Sequence, residues 1–243
     1  MIELMKSHRS IRKFKERSVS KELVNEIITA GQWAPTSHHI QSYSIIVVRD
    51  HSRKKRLAEL AGNQPYVESC PVFFVICADY SRLSKASEMH QKPFEIGEVE
   101  QIIVGAVDAA LVAENMLLAS RGLGLGGVMI GGIRNSPEAV STLLKLPKFT
   151  FPIMGLCIGY PDQNPEQKPR LSQRAVVHEE EYDETKMKEE LGLYDQVMSD
   201  YYNRRTNGKR MDTWTKLMSE HFSQVRRQEV GEFLKKQGFL KED

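Results

Sequence analysis

The chain has 243 residues, 40% of them hydrophobic and 27% charged, so it can bury a substantial core in one large domain or two small ones. Its formal net charge of +2 is too small to recruit nucleic acid by charge alone. The first residues lack the apolar stretch of a signal peptide, and three cysteines, an odd number, argue against a disulfide framework. We therefore expect a protein of the reducing cytoplasm.

The N-terminal segment His8-Arg9-Ser10-Ile11-Arg12 concentrates groups that bind phosphate. Guanidiniums present planar donor forks that match phosphate oxygens, and the serine hydroxyl adds a donor. At the spacing of one helical turn, Arg9 and Arg12 can point the same way. An exposed basic helix end would have the same composition. A second cationic pair, Lys168 and Arg170, occurs in a polar loop far downstream, and the two clusters together would grip one dianionic phosphate.

The apolar spacing predicts alternating helices and strands from residue 20 to residue 78. Ser20 is suited to cap the first helix, which ends near Pro35 before a polar loop. Two short apolar runs are typical of buried strands, and a charged helix and a turn separate them. In chain order these elements are the strand 43–48, the helix 51–61, the turn Gly62-Asn63-Gln64-Pro65 and the strand 72–78.

The longest helical pattern runs from Glu98 to Arg121 and is apolar around nearly its whole circumference. Such a helix is buried in a large core or in a membrane. Charged and amide side chains interrupt it too often for a spanning segment, which needs about 20 mostly apolar residues. Its small residues would let another helix approach closely. We expect a central packing helix, with its twin in a dimer as one candidate neighbour.

Glycines follow this helix and end the next strand. The run 122–127 matches the G-x-G-x-x-G dinucleotide pattern, but that site needs a strand before it and a helix after it, and the order here is reversed. We therefore reject a Rossmann site. The strand 126–132 ends in Gly131-Gly132, whose backbone would either accommodate a flat ligand or simply turn the chain. A short helix from Ser136-Pro137 and a fourth strand, 153–159, follow.

After Pro161 the chain changes to charged helical stretches, about 185–202 and 213–236, with thin apolar stripes. We interpret this tail as an arm or cap that needs a partner surface. Between its helices, the segment 203–210 places four cations around an Asn-Gly turn. This segment is either a solvated charged loop or a clamp for a ligand phosphate.

No nucleophile with a base and an orienting group stands out, and neither G-x-S-x-G nor H-E-x-x-H occurs. The adjacent His38 and His39 point apart and do not make a metal site, so no metal is expected. Cys77 and Cys157 lie in apolar strands, where we expect buried thiols. An enzyme with this sequence would therefore rely on a cofactor for its chemistry.

Five segments, taken in order, resemble the nitroreductase superfamily, and most closely its NADPH-dependent, oxygen-insensitive nitroreductases and P-type flavin reductases. They are 8–12, 62–65, 122–135 (GLGLGGVMIGGIRN), 168–170 and the Arg-Thr-Asn-Gly-Lys-Arg loop before Asp212-Thr213-Trp214. The resemblance covers nearly the whole chain. It implies an α+β fold with a mixed central sheet flanked by helices, in an intertwined homodimer. Residues 1–243 would form a single domain, with 161–243 as an arm or cap on the partner subunit.

The resemblance also implies ligands, with one FMN in each of two clefts at the subunit interface. The residues matched to the FMN phosphate are His8, Ser10, Arg12, Lys168 and Arg170, with Arg9 adjacent. Those expected to approach the flavin and its ribityl chain are Thr36, Ser37 and Gln64. Those expected to line the ring are Met129, Ile130, Gly131 and Gly132, with the Gly131 amide near the reactive N5. Arg205 and Arg210 match the pair that binds the 2′-phosphate of NADPH.

The implied function is an FMN-dependent NAD(P)H oxidoreductase, with NADPH preferred over NADH, that reduces nitroaromatics, quinones or free flavins. Hydride would pass to flavin N5, the nicotinamide would leave, and the acceptor would take the electrons from the same face without a catalytic side chain. Relatives often carry serines where this chain has His38 and His39, so these imidazoles are expected to alter substrate choice.

Two other hypotheses stay open from the residues alone. One is a flavin-binding or flavin-delivery protein whose turnover is incidental, and the other is a basic-tailed interaction protein without a cofactor. Neither nucleic acid nor a membrane is expected as a partner.

Overall fold

The structure is a computed structural model that describes residues 1–241. Its chain divides into two compact units, one formed by residues 1–165 together with those from 227 onward, and the other by residues 166–226. Within the described residues the helices and strands are α1 (Ile2–Lys6), α2 (Lys21–Gln32), β1 (Tyr43–Val48), α3 (His51–Leu60), α4 (Pro65–Ser69), β2 (Val72–Asp79), α5 (Ser81–Met89), α6 (Val99–Gly122), β3 (Gly126–Ile130), α7 (Pro137–Leu144), β4 (Thr150–Gly159), α8 (Met187–Arg205), α9 (Trp214–Phe222) and α10 (Glu229–Lys236).

The first unit contains a four-stranded sheet in the order β1-β2-β4-β3. The central strands β2 and β4 are almost completely buried, which explains why both are continuous apolar runs. All pairings among these strands are antiparallel, so the prediction of a mixed sheet is wrong for the described part of the chain. The mixed sheet was an implication of the family resemblance, since apolar runs identify buried strands but specify neither their neighbours nor the direction of pairing.

The helix α6 is the central helix of the first unit and contacts β2, β4 and α2. It has the length and apolarity of a membrane span, but its position is that of a core helix. Gly105 allows the close approach to the sheet, because a Cβ there would lie 2.8 Å from the Cβ of Ala78. One side is nevertheless exposed, along Val99, Ile103, Val107 and Leu111. The expectation of a central packing helix is therefore confirmed, and its packing against a twin helix stays a prediction that concerns this exposed side.

The second unit is built on α8, whose buried residues Tyr194, Met198, Tyr201 and Tyr202 recur at helical spacing. Trp214 at the start of α9 packs on them, with its ring centre 5.8 Å from that of Tyr194. The predicted helix 213–236 is in fact two helices, α9 in this unit and α10 in the first. The break includes Arg227, whose φ of 57° is incompatible with a continuous helix.

Two further differences concern shorter features. The helices α1, α4 and α5 were not predicted, and β3 ends at Ile130, where a 3₁₀ turn (Gly131–Arg134) replaces the expected last strand residues. The prediction of buried thiols is confirmed, since Cys70, Cys77 and Cys157 are all free and buried. Burial raises the pKa of the Cys77 and Cys157 thiols, which keeps both protonated and unreactive at neutral pH.

Candidate functional site

The basic segment 8–12 belongs to no helix or strand and is bonded to β3. The backbone N–H of Ile11 donates to the carbonyl of Gly127 over 2.9 Å. The Ile11 side chain is buried against Gly126, where an added Cβ would lie 2.6 Å from it. Burial of this one apolar residue therefore holds the segment in place, while its neighbour Arg12 stays exposed. The alternative of a basic helix end is wrong, because α1 ends before the segment begins.

Two guanidiniums of this segment have no acidic partner among residues 1–241. Arg9 donates through Nη1 to the carbonyl of Ser7 at 3.3 Å, while its buried Nε has no hydrogen-bond partner. Arg12 is exposed, with its guanidinium carbon 5.8 Å from the centre of the Tyr66 ring. Because the segment is not helical, the one-turn spacing expected to align Arg9 and Arg12 does not apply. A buried N–H without an acceptor is unfavourable, and an anion is the ligand that satisfies it best.

In the second unit, Lys168 and Arg170 are exposed cations on a loop supported by tyrosines of α8. The hydroxyl of Tyr194 donates to the carbonyl of Pro169 over 3.0 Å, and the Lys168 ammonium lies 5.8 Å from the centre of the Tyr202 ring. Arg170 donates to the backbone carbonyls of Lys168 and Pro169, at 2.9 and 3.3 Å. Within the described residues neither cation has an acidic partner, so both are available to an anion.

The chain turns at Gly131 and Gly132 directly against the turn that carries Gln64. A Cβ on Gly132 would collide with the carbonyl oxygen of Ala61 and lie 2.5 Å from Nε2 of Gln64. The Gln64 side chain donates to that carbonyl over 2.7 Å and accepts from the Tyr66 hydroxyl at 2.5 Å. Glycine is therefore required at position 132. The structure thus brings together three residues that were assigned to the flavin from separate parts of the sequence.

Met129 and Ile130 point to opposite faces of the sheet, as successive strand residues must. Ile130 is 1% exposed and its side chain belongs to the core on one face, so only its backbone is available to a ligand. Met129 is partly buried and packs against the core on the other face.

Arg134 and Arg227, which were not singled out from the sequence, place two guanidiniums beside Gly131. Their Nη2 atoms lie 3.5 and 3.8 Å from the point where a Gly131 Cβ would be. Arg134 donates to the carbonyl of Ile153, and Arg227 donates through Nε to Oδ1 of Asn135 at 3.0 Å. Burial, together with the charge of Arg227, lowers the pKa of Arg134. Arg134 follows the glycine run and could have been found from it, whereas Arg227 has no local signal.

Thr36 and Ser37 begin the loop that precedes β1, and both are partly buried. The Ser37 N–H donates to Oδ1 of Asp108 on α6 over 3.1 Å. Together with this loop, the apolar side of α6 lines an open cavity of about 280 Å³. His38 and His39, which follow in the loop, are exposed.

Arg205 and Arg210 are each supported by a tyrosine of α8. Arg205 donates to the Tyr201 hydroxyl at 3.1 Å. The guanidinium carbon of Arg210 lies 4.5 Å from the centre of the Tyr202 ring, within range of a cation–π interaction. Its Nε also donates to Oδ2 of Asp212 at 2.7 Å. Arg210 therefore has an acidic partner that a bound phosphate would have to displace.

Residues 5–160 match the profile of the nitroreductase family, and residues 168–242 match that of the nitroreductase family C-terminal domain. The chain belongs to the nitroreductase family. It is 40% identical to the FMN reductase [NAD(P)H] of Bacillus subtilis, over 98% of this chain and 97% of that one. It is 41% identical to the NADPH-flavin oxidoreductase of Vibrio harveyi, over 99% and 98%. It is 40% identical to the Cr(VI) reductase of a Pseudomonas species, over 98% of both.

Solved structures of other nitroreductases have the same fold. NfrA1 from B. megaterium superposes with a TM-score of 0.96 at 47% identity and 99% coverage of both chains. The NADPH:FMN oxidoreductase of Vibrio harveyi, solved in complex with NAD⁺, superposes with a TM-score of 0.91 at 39% identity, also over 99% of both. The α+β nitroreductase fold expected from the ordered motifs is therefore confirmed.

Proposed function

We propose that this nitroreductase is an FMN-containing NAD(P)H oxidoreductase that reduces free flavins, nitroaromatics and quinones, with NADPH as the preferred donor. The names of its relatives, which include FMN reductase, NADPH-flavin oxidoreductase and Cr(VI) reductase, support this class of reaction. The observation in the chain that carries the proposal is the pair Arg9 and Arg12. In the described residues both lack an acidic partner, and their segment is bonded to β3, the strand that ends one residue before Gly131.

FMN fits these residues because its phosphate supplies the anion that they need. His8, Arg9, Ser10 and Arg12 of the first unit would hold the phosphate, and so would Lys168 and Arg170 of the second. A charge-assisted hydrogen bond contributes about 1.5–3 kcal/mol, so three or four of them with burial of the ring hold FMN at micromolar affinity or better, about −8 kcal/mol.

The residues near Gly131 would position the ring and set its electrostatic surroundings. When bound, FMN supplies the hydride chemistry, which no side chain of this protein needs to perform. The Gly131 amide would donate to the reactive edge of the ring, and Gln64 would orient its polar side. Arg134 and Arg227 add positive potential beside Gly131, which stabilises negative charge that develops there during turnover.

NADPH binding is assigned to the α8 end of the second unit. Arg205 and Arg210 would bind the 2′-phosphate that distinguishes NADPH from NADH, with Tyr201 and Tyr202 holding the two guanidiniums. Arg210 would then exchange Asp212 for the phosphate. An exposed ion pair of this kind contributes little, so the exchange is favourable.

The active protein would be a cytoplasmic homodimer. The exposed stripe Val99, Ile103, Val107 and Leu111 is an apolar surface that a second copy would bury. In this arrangement residues 1–243 act as one domain, and two clefts at the seam each take one FMN. Of the arm expected on the partner subunit, only residues 166–226 remain, because residues from 227 onward belong to the first unit of their own chain.

The visible spectrum of the purified protein tests the proposal. We expect a flavin absorption band that bleaches when NADPH is added without oxygen and returns when a quinone or nitroaromatic is added. Colourless protein that does not take up added FMN would refute the proposal and would favour the interaction protein without a cofactor.

The flavin-delivery hypothesis is separated by steady-state kinetics. Rapid NADPH oxidation in the presence of an acceptor, with FMN remaining bound, indicates an enzyme. Transfer of FMN to an apoflavoprotein without NADPH consumption indicates a carrier.

The Arg12→Ala variant tests the phosphate site. We expect FMN to bind about ten- to a hundredfold more weakly, because one charge-assisted interaction is lost. Titration of apoprotein by flavin fluorescence gives the dissociation constant. Arg17→Ala is the matched control, since the Arg17 guanidinium lies over the Tyr160 ring at 4.0 Å and has no assigned ligand. Equal affinities for Arg12→Ala and wild type would remove Arg12 from the site.

A further inference from the structure

The loop 36–42 contains three of the left-handed non-glycine residues of the chain within four positions. His38, His39 and Gln41 have φ of 45°, 56° and 54°. Side chains with a Cβ rarely adopt this conformation, and it persists only where the surrounding structure imposes it. The two imidazoles make only exposed bonds to near neighbours in the sequence. Ser37 Oγ lies 3.3 Å from His38 Nδ1, and Gln41 Nε2 lies 3.2 Å from His39 Nε2. Backbone bonds inside the loop, from the Ile40 N–H to the Ser37 carbonyl and from the Tyr43 N–H to the Gln41 carbonyl, both at 2.8 Å, close its short turns but do not join its two ends. A constraint on the whole loop must therefore come from outside it.

Asp108 on α6 supplies a constraint at both ends of the loop. Its side chain has no exposure to solvent. Oδ1 accepts from the N–H of Ser37 at 3.1 Å, and Oδ2 accepts from the N–H and the hydroxyl of Ser42 at 3.1 and 2.8 Å. All three donors belong to this loop. A carboxylate is the one side chain that accepts on both oxygens and donates nothing, so an amide of the same shape would not satisfy them.

A second contact holds the C-terminal half of the loop. Arg82 donates to the carbonyl of Gln41 at 3.1 Å and to that of Tyr43, and it pairs with the buried Asp79 at 3.3 Å. Gln41 is itself one of the left-handed residues, so Arg82 bonds directly to its carbonyl. Among residues 1–241, Asp108 is the side chain that bonds to both ends of the loop, at Ser37 and at Ser42.

We propose that Asp108 is a positioning residue, which fixes the loop 36–42 in its left-handed conformation and thereby sets Thr36 and Ser37 against the cofactor. It also sets the direction of the two exposed imidazoles, His38 and His39, and so contributes to the choice of acceptor. The link to cofactor and acceptor rests on the proposed function, whereas the fixing of the loop does not.

Hydrogen–deuterium exchange of the full-length protein tests the fixing of the loop without any ligand. In Asp108→Asn the amide must turn its NH₂ group toward the N–H of Ser37 or of Ser42, so one bond becomes a repulsive contact. We expect exchange within residues 37–42 to accelerate about tenfold or more, with the rest of α6 unchanged. Exchange equal to that of wild type overturns the proposal.

Ser120→Ala is the matched control. It removes another fully buried polar group from α6, a hydroxyl that donates to the Met116 carbonyl at 2.7 Å, and should leave the loop as slow as in wild type. If Asp108→Asn does not fold, Ser42→Ala replaces it, because this variant loses only the hydroxyl donor. A smaller acceleration confined to the loop then supports the proposal, and no acceleration overturns it.

A glycine at a left-handed position provides a rescue that a general loss of stability would not show. Gln41→Gly lowers the cost of the positive φ, so adding it to Asp108→Asn should restore part of the slow exchange.

For the cofactor, Asp108→Asn should raise the FMN dissociation constant about tenfold while Ser120→Ala leaves it unchanged. Accelerated loop exchange with unchanged FMN affinity would overturn the cofactor role. Wild-type protein that binds no FMN would refute the proposed function and leave the exchange result standing.

Discussion

Arg204, Arg205 and Arg210 lie close together in the sequence but have different partners. Arg204 pairs with Glu166 at 3.0 Å, Arg205 bonds to a tyrosine hydroxyl, and Arg210 lies over a tyrosine ring beside Asp212. Composition alone treats these cations as one charged loop. Their contacts single out Arg205 and Arg210, because two tyrosines of α8 hold them in place.

The double variant Arg205→Ala and Arg210→Ala should raise the KM for NADPH about tenfold or more and leave that for NADH nearly unchanged, because only NADPH carries the 2′-phosphate. Initial rates with both donors measure this. Arg204→Ala removes a neighbouring cation and is the control. A rise of similar size for both donors would contradict the assignment of the 2′-phosphate.

Asp79 is a buried carboxylate whose contribution to the stability of the protein depends on pH. It accepts from Ser44 and Ser81 and pairs with Arg82. Burial acts to raise the pKa of Asp79, but these hydrogen bonds and the Arg82 charge outweigh it, so the pKa lies below its ordinary value of 3.8. A carboxylate with a lowered folded-state pKa stabilises the protein above the unfolded-state value, and the contribution is lost as the pH falls through the folded-state pKa.

Asp79→Asn should therefore be less stable than wild type at pH 7, and the difference should shrink below about pH 4. Urea denaturation at several pH values gives both free energies of unfolding. Glu88→Gln is the control, because that glutamate also has a lowered pKa but is exposed on α5. If the difference between the two free energies of unfolding stays constant down to pH 3, the charge of Asp79 contributes nothing to stability.

Among the elements, glycine is required in one place and replaceable in another. Gly132 is the second residue of the 3₁₀ turn after β3 and contacts the 61–64 turn. Gly192 lies inside α8, where a Cβ would meet nothing within 4 Å. The same substitution to alanine therefore has opposite consequences in the two elements.

Gly132→Ala should destabilise the protein by several kcal/mol or displace Gln64, since overpacking against backbone costs about 1–3 kcal/mol or more. Gly192→Ala should instead stabilise it by about 0.5–1 kcal/mol, because alanine favours the helix. Thermal unfolding of both variants provides the comparison. A Gly132→Ala protein as stable as wild type would mean that the two turns are not in contact.

The sequence pattern predicted the elements better than their arrangement. Strand β1 has the predicted bounds, and α6 differs from its prediction by one residue at each end, because apolar periodicity is a local signal. The split between α9 and α10 was missed, since the Arg227 bond to Asn135 is a tertiary contact. The position of Arg227 next to Arg134, beside Gly131, was missed for the same reason. Asp108 was treated as an interruption of an apolar helix, and only the folded loop shows what it binds.

At the scale of the whole molecule, α6 presents an exposed apolar stripe that runs from Val99 to Leu111. Its four apolar side chains recur every four residues, so they lie on one side of the helix over about 18 Å. The loop 36–42 borders this surface at the cavity of about 280 Å³. Association of two copies through the stripe would thus place the neighbouring subunit next to the loop that Asp108 holds.

In the proposed homodimer, Val107→Glu should convert the dimer to a monomer and lower FMN occupancy, because burying an unpaired carboxylate in an apolar interface is strongly unfavourable. Light scattering after size-exclusion chromatography gives the mass. Met89→Glu is the control, as Met89 is 80% exposed at the end of α5. A Val107→Glu protein that remains dimeric would place the interface elsewhere.

The first unit draws its core from both ends of the polypeptide, since Phe233 and Phe239 pack with Phe151 and the N–H of Phe149 donates to the carbonyl of Gln237. Residues 166–226 form their own cluster in between. During synthesis on the ribosome, the Phe151 side of the sheet therefore stays uncovered until α10 has left the ribosome. We expect the middle segment to become compact while the nascent chain is still growing, and the sheet-bearing unit to close after it.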